Sequence, residues 1–145
     1  MSTPQDLFEA RIPLRLSVET RRGPLIVPLW FDWDGEHLWC ASHRSAAIIA
    51  ALEASPRCAF DVSTNDMPYR GLRGRGRTQC RPDLGGVVLG RLIDRYLPDR
   101  SHPLARWLLS RAAEEVAIQI TPTWQSHWDY SQRMTGLGSD SSVGQ

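Results

Sequence analysis

The chain has 145 residues, and its 17 basic residues, all of them arginine, almost balance 16 acidic ones to give a net charge of +1 at pH 7. This length and an apolar fraction of 41% suffice for one domain with its own core and exclude a disordered chain. The balanced charge argues against a dedicated nucleic-acid-binding protein, which is usually far more basic.

The cysteines and histidines predict no metal site. Cys40, Cys58 and Cys80 are odd in number and form no C-x-x-C pair, and the four histidines lack metal-ligand spacing. No apolar run approaches the roughly 20 residues of a membrane span, and the N-terminus lacks the apolar segment of a signal peptide. We therefore expect reduced thiols in a cytoplasmic protein that binds no membrane.

Alternating apolar residues predict three strands in the first third of the chain. The first covers residues 12–18 (IPLRLSV), and a turn that ends at Gly23 leads to the second, residues 24–33 (PLIVPLWFDW). Asp34-Gly35 is a strong hairpin signal before the third strand, residues 36–41. Because proline cannot donate to a ladder, we expect Pro28 to face a sheet edge, a bulge or a ligand.

The period then changes to that of a helix over residues 42–56, where Ile48, Ile49 and Leu52 form an apolar face. Either Ser42 or Ser45 is a suitable cap for the start of this helix. Alternation returns over residues 57–63 (RCAFDVS), which predicts a fourth strand.

The tract RGLRGRGR, which ends at residue 77, resembles the arginine–glycine tails that bind RNA when it is considered alone. However, Arg73, Arg75 and Arg77 fall on alternate residues, and small residues fill the gaps. We therefore predict an ordered strand over residues 69–80 with its arginines on one face. Glycines within a strand indicate a bulge or the close approach of a ligand or another chain.

The remaining segments predict two helices, residues 84–97 and 103–113, and a last strand, residues 115–122. We expect a single domain over residues 1–135 and a disordered tail over residues 136–145. Hairpin-linked strands with few helices predict a mostly β fold, an antiparallel sheet closed into a small barrel with flanking helices.

Three stretches together resemble the pyridoxamine 5'-phosphate oxidase-like family of FMN-binding split barrels. They are the long segment IPLRLSV…RCAFDV (12–62), PYRGLRGRGR (68–77) and ITPTWQSHWDYSQRM (120–134). The resemblance covers most of residues 10–134. It implies a six-stranded antiparallel split β-barrel that forms a homodimer, with FMN bound where the two subunits meet.

The resemblance also implies that the second strand passes beside the flavin ring. The residues in question are Val27, Pro28, Leu29 and Trp30. Backbone groups freed by a proline in the ladder are able to bond to the polar edge of a flavin. For Trp30, two roles stay open: stacking on the ring, or packing in the core or the dimer interface.

By the same resemblance, the cofactor phosphate lies at the start of the helix, where free N–H groups and the helix dipole favour anions. The implied donors are Ser42, Arg44 and Ser45, assisted by His43. Many family members carry Lys or Arg where this chain has Ala47, and the loss of that charge implies a ten- to hundredfold weaker affinity. Two alternatives follow. Either Arg44 or an arginine of the 73–77 strand, such as Arg75, replaces the missing positive charge, or the protein binds flavin weakly, binds another ligand or binds none.

The C-terminal WDYSQRM resembles the family segment that reaches the partner subunit's flavin, which implies that Trp128 and Arg133 contact the site. The alternative is an aromatic-and-arginine staple that holds the dimer together.

Three functions remain open. The first is an FMN-dependent oxidoreductase of unknown small-molecule substrate, with deazaflavin as a close variant of the cofactor. The second is a binding or storage protein without turnover on the same barrel; haem, with His43 or His127 as axial ligand, is a further cofactor alternative. The third, nucleic-acid binding, is the least favoured, so we expect no nucleic-acid partner.

Overall fold

A computed structural model describes residues 4–132 of the chain, so the predicted tail (136–145) and Arg133 lie outside the described residues. Seven strands form one antiparallel sheet, and four α-helices and two short 3₁₀ segments accompany them. The strands are β1 Leu14–Thr20, β2 Gly23–Leu29, β3 Asp32–Trp33, β4 Leu38–His43, β5 Arg57–Ser63, β6 Arg70–Arg81 and β7 Glu115–Asp129. The helices are α1 Pro4–Glu9, α2 Ala47–Ala54, α3 Gly85–Tyr96 and α4 Pro103–Leu109, and the 3₁₀ segments are Pro82–Leu84 and Ala112–Glu114.

The strand order in the sheet is β2-β1-β5-β6-β7-β4-β3, with every neighbouring pair antiparallel. The predicted mostly β, antiparallel architecture is confirmed. The seventh strand arises because the predicted strand 24–33 is interrupted after Leu29. There the Tyr96 hydroxyl accepts a hydrogen bond from Phe31 N at 3.2 Å and donates to Ile12 O at 2.8 Å, which holds the chain away from a straight continuation.

One face of the sheet encloses the main core. Its buried side chains alternate along the strands, as the period-two pattern predicts; they include Leu14, Leu16 and Val18 of β1, Phe60 and Val62 of β5, and Val116, Ile118 and Ile120 of β7. Ile48, Ile49 and Leu52 of α2 pack against them, which confirms the predicted apolar face. Helix α1, which the sequence pattern did not predict, contributes the buried Leu7 and Phe8.

Helices α3 and α4 cover the opposite face of β4 and the first half of β7. Val88 and Leu92 of α3 pack on Trp39 and Ala117, and α4 adds Ala105 to a neighbouring cluster. In the part of the chain that the structure describes, these helices do not reach the outer faces of β2, β1, β5 and β6. That half of the sheet is therefore open, and Ile26 on it is 65% exposed.

The arginine–glycine tract forms the middle of β6, so the predicted ordered strand is confirmed. Arg73, Arg75 and Arg77 are exposed, while Gly74 and Gly76 face the core. A β-carbon at Gly74 would meet the ring of Phe60 and lie 2.6 Å from the Trp124 carbonyl oxygen, and a register shift follows between Arg75 and Gly76. The glycines thus accommodate a bulge and the close approach of the chain's own core.

Across residues 4–132, the helices are all too short or too polar to cross a bilayer.

Candidate functional site: a groove on the open face of the sheet

A continuous groove runs across the open face of the sheet to α2, and it divides into three sections. The tryptophan section has a volume of about 640 Å³, the middle section about 500 Å³ and the helix section about 840 Å³. Ser17, Ala59 and Arg75 line both of the first two sections. Glu19 and Pro24 line both the middle and helix sections, so the three form one surface feature, the outer groove.

Arginine dominates the charge of the outer groove. Its arginines are Arg15, Arg21, Arg22, Arg57, Arg73, Arg75 and Arg77, against the acids Glu19 and Asp61. Among the described residues, none of these seven arginines takes part in a salt bridge. Seven unpaired guanidinium groups beside two carboxylates make the groove strongly attractive to anions.

Strand β2 provides one rim of the outer groove, and within the described sheet it is an edge strand, as Pro28 predicts. The two-residue loop between Thr20 and Gly23 makes these two residues a hydrogen-bonded pair. By the alternation of an antiparallel ladder, Pro24, Ile26 and Pro28 then direct their backbone groups away from β1. The rim therefore offers three carbonyl acceptors but a single N–H donor, that of Ile26.

The residues predicted to flank a flavin ring divide between the two sides of β2. Val27 and Leu29 pack against the main core, whereas Pro28 is exposed on the side of the groove. Trp30 stacks on Tyr96 of α3, with ring centroids 4.9 Å apart and an interplanar angle of 5°. In this structure Trp30 therefore has an aromatic partner within its own chain and does not line the outer groove.

The end of β4 and the turn that leads to α2 hold the predicted phosphate donors: Ser42 and His43 are the last residues of the strand, and Arg44 and Ser45 lie in the turn. His43 Nε2 lies 2.6 Å from Glu114 Oε1, and Ser45 Oγ lies 2.8 Å from His43 Nδ1. Since a carboxylate only accepts hydrogen bonds, Nε2 carries a proton toward Glu114, while Nδ1 shares its hydrogen bond with Ser45. Arg44 N donates to the Glu114 carbonyl at 2.8 Å, so Glu114 fixes this turn through both its side chain and its backbone.

Electrostatics at this turn follow from the same contacts. The hydrogen bond from His43 lowers the pKa of Glu114, with the charges of His43, Arg44 and Arg111 acting in the same direction. Helix α2 begins at Ala47, and at its N-cap, Ala46, the described structure shows no capping side chain. Because Ser45 bonds to His43 and not to the helix, the predicted serine cap is not formed. Ile49 N donates to the Ala46 carbonyl at 3.0 Å, so the first-turn N–H groups of Ala47 and Ile48 are the ones left for other acceptors.

Of the two C-terminal residues predicted to contact the cofactor, Trp128 lies within the described residues and Arg133 lies outside them. Trp128 lies on β7 beside Tyr130, with ring centroids 5.1 Å apart, and both are half-buried. Neither aromatic ring lines the outer groove. Of the predicted cofactor residues, only Arg75 lines the outer groove as described. Ala47, where many family members carry a basic residue, also lines it.

The sequence predictions missed several residues of the groove. Arg15 and Ile26 were noted only as members of alternating strands, and Trp124 received no role although it lies in a segment that carries the family resemblance. The sequence signal that could have identified them was the set of residues that alternate with the apolar ones and therefore point outward from each strand. When the outward residues of β1, β2, β5, β6 and β7 are placed in register, they form the tryptophan section.

No protein-family model matches the chain, and no curated protein matches it. Among solved structures, an F420 reductase is 29% identical, with a TM-score of 0.73 over 87% of this chain and 98% of the other. A putative pyridoxamine 5'-phosphate oxidase from Listeria innocua is 13% identical, with a TM-score of 0.65 over 85% of this chain and 93% of the other. The chain shares the split-barrel fold of these structures.

This split-barrel protein is also similar to a FAD-binding protein from Mesorhizobium loti. The two are 24% identical, with a TM-score of 0.63 over 86% of this chain and 89% of the other. The predicted split barrel is thus confirmed.

Proposed function

We propose that this split-barrel protein is an oxidoreductase that binds a flavin-type cofactor in the outer groove, with the deazaflavin F420 favoured over FMN. The observation that carries the proposal is the 29% identity to an F420 reductase over 98% of that protein's chain. FMN, which the family resemblance implies, is the second candidate. It is disfavoured by Ala47, which stands where many family members place a basic residue.

The groove suits a planar ring that carries an anionic side chain, a description that fits both cofactors. Its sections of 500 to 840 Å³ have the size of small-molecule sites. Arg57 and Arg77 of the middle section and Arg21 and Arg22 of the helix section supply positive charge along its length. Arginine is well suited to carboxylates and phosphates because its guanidinium group bonds to them in a bidentate manner.

Each part of the groove would have its own task with the cofactor bound. The rim of β2 orients the ring through the Ile26 N–H and the carbonyls of Pro24, Ile26 and Pro28. Arg77 and Arg57 hold the anionic side chain, and the free N–H groups at the start of α2 add to that hold. When bound, a cofactor of this type supplies two-electron redox chemistry. The protein contributes position and electrostatic stabilisation.

We also propose that a second copy of the chain covers the open face and completes the site as a homodimer. Ile26 and Trp124 are 65% and 44% exposed on this face, although both are large apolar side chains. An open sheet face with exposed aromatic and aliphatic groups is typical of an interface. The apolar area removed from water would stabilise the dimer.

The haem alternative finds less support in the described residues. Both ring nitrogens of His43 are engaged, one by Glu114 and one by Ser45, so coordination of iron would require these bonds to break. The exposed His127 lies outside the groove's lining.

The experiment is a titration of the purified protein with F420, FMN and haemin, followed by absorbance and cofactor fluorescence. We expect saturable binding of F420, weaker binding of FMN, and no Soret band that saturates with haemin. A protein that binds neither F420 nor FMN would overturn the proposal and favour a non-catalytic binding protein. Reduction of the bound cofactor by a candidate substrate would then establish turnover.

A further inference from the structure

Five arginines extend from the open face of the sheet on three neighbouring strands, β1, β5 and β6. They alternate with buried residues along each strand, so all of them point outward. Together they form what we call the arginine face: Arg15, Arg57, Arg73, Arg75 and Arg77. Because arginine does not lose its proton in proteins, this face is positive at every pH at which the chain is folded.

Two members of the arginine face lie opposite each other in the sheet. Arg57 and Arg77 are direct partners across β5 and β6. Like charges directly opposite one another destabilise a sheet. Glu19, the acid of the same middle section, forms no salt bridge with either of them in the part of the chain that the structure describes. An anion between the two guanidinium groups would therefore remove a repulsion that the fold itself contains.

The acidic residues of the groove do not offset this charge. Arg15, Asp61 and Arg73 are consecutive partners across β1, β5 and β6, so a single carboxylate lies between two guanidinium groups. Over the whole outer groove, seven arginines against two acids leave five positive charges in excess. Since the net charge of the chain is +1, the remaining residues carry four negative charges in excess. The positive charge is thus concentrated on the face that the proposed dimer covers.

A second copy on the open face brings two such surfaces together. In a two-fold symmetric dimer both subunits use the same patch, so one arginine face meets another. The exposed apolar groups Ile26 and Trp124 favour this contact. The arginines oppose it, because unpaired like charges are then brought close together and removed from water. The open face therefore suits a second copy of the chain best when negative charge lies between the two.

We propose that an anion between the two arginine faces links dimerisation to cofactor binding. The inference rests on the proposed function for the homodimer and for the identity of the anion, which is the anionic side chain of the cofactor at Arg57 and Arg77. This side chain neutralises charge on its own subunit and is attracted by the arginine face of the partner subunit. Linkage then requires the dimer to hold the cofactor more tightly than the single chain does, by about 5- to 150-fold for a typical coupling.

The experiment is sedimentation equilibrium of the full chain, which measures the dissociation constant of the dimer at about 0.01 M and about 0.15 M NaCl. Without cofactor, we expect the dimer to be weaker at the lower salt concentration, where the screening length is about 30 Å. Addition of F420 or of pyrophosphate to the low-salt sample, at matched ionic strength, should tighten the dimer by about fivefold or more.

Arg57→Gln and Arg91→Gln are matched variants, because each removes one positive charge and Arg91 is exposed on α3, outside the groove. Arg57→Gln should strengthen the cofactor-free dimer at low salt and reduce the effect of pyrophosphate, and Arg77→Gln should do the same. Arg91→Gln should behave as the wild type. A substitution that only disturbs packing would weaken the dimer, so the direction of the change separates the two causes.

A dimer that neither F420 nor pyrophosphate tightens would overturn the inference, as would a cofactor-free dimer that Arg57→Gln weakens. A fluorescence titration with F420 tests the proposed function separately. Saturable F420 binding with an unchanged dimer means that the inference alone fails. A dimer that pyrophosphate tightens in a chain that does not bind F420 means that the proposed cofactor alone is wrong. A chain that stays single under all of these conditions contradicts both the homodimer and the inference.

Discussion

His43 and Glu114, which are 71 positions apart in the chain, share a hydrogen bond of 2.6 Å between Nε2 and Oε1. This bond joins the last residue of β4 to the 3₁₀ segment before β7, and Ser45, in the turn that follows β4, bonds to the other ring nitrogen. The arrangement fixes the imidazole ring at the start of α2. It also determines how the stability of the turn depends on pH.

We expect the protein to lose stability at acidic pH because of Glu114. Its pKa in the folded chain is held below its ordinary value of 4.5 by the hydrogen bond from His43, so folding favours the ionised carboxylate. The contribution is present above pH 4.5 and disappears as the pH falls through the lowered value. Glu114→Gln should flatten this part of the pH–stability curve, measured by urea unfolding at successive pH values. Glu9→Gln, an exposed control, should retain the wild-type slope; the same slope in Glu114→Gln would contradict the assignment.

Gly74 predicts a large effect from one methyl group. In Gly74→Ala the new carbon meets the Phe60 ring and the Trp124 carbonyl, and the backbone atom cannot move aside cheaply. We expect a loss of about 1–3 kcal/mol in the free energy of unfolding, the usual range for overpacking. Gly86→Ala is the matched control, because its β-carbon finds its nearest described neighbour at 3.9 Å. Similar unfolding curves for the two variants would show that β6 and β7 are not in close contact.

Replacing Ala47 by a basic residue should increase the affinity for a phosphate-bearing cofactor. Ala47→Arg places a guanidinium group at the first residue of α2, beside free N–H groups. We expect FMN to bind roughly ten- to hundredfold more tightly, the range of a hydrogen bond to a charged group. Glu53→Gln, which also raises the net charge by one unit but on an exposed residue of α2 outside the groove, is the control. An equal gain in both variants, measured by fluorescence titration, would mean that the charge acts only through the protein's overall field.

The proposed homodimer is tested by placing a charge at Ile26, on the open face of the sheet. A charge in Ile26→Glu would be buried if a second copy covers the open face, whereas in a monomer it stays in water. We expect this variant to elute as a single chain in size-exclusion chromatography with light scattering, and the wild type as two. Val87→Glu on α3 is the control, since Val87 is 60% exposed and lies away from the groove. Loss of the dimer in the Val87 variant but not the Ile26 variant would place the interface elsewhere.

Most of the fold follows from the sequence because its signals are local. The alternation of Leu14, Leu16 and Val18 and the change of period at Ile48 are properties of neighbouring residues. The break after Leu29 was not predicted because it depends on Tyr96, a hydroxyl from a helix 65 positions away. The last strand was predicted to end at Pro122 but runs to Asp129, since the bulge opposite Arg75 and Gly76 absorbs the proline.

The candidate site was less accessible to prediction for the same reason. The outer groove forms only when the outward residues of five strands are placed in register, and register is not visible in any one segment. Arg75 was predicted as a cofactor residue because the alternating arginines of its own strand are visible in the sequence. Trp124 was missed because its importance comes from Arg75, its cross-strand neighbour. Likewise, the bond between Ser45 and His43, which replaces the expected helix cap, depends on Glu114.

The location of the cofactor is the central claim, and hydrogen–deuterium exchange of the full chain with and without F420 tests it most directly. We predict slower exchange at Ile26, the single outward N–H of the β2 rim, and at the first turn of α2, where the N–H groups lack side-chain caps. Exchange in α4, which lies on the other face, should not change. Protection confined to α3 and α4, or no protection under saturating F420, would contradict the assignment of the outer groove.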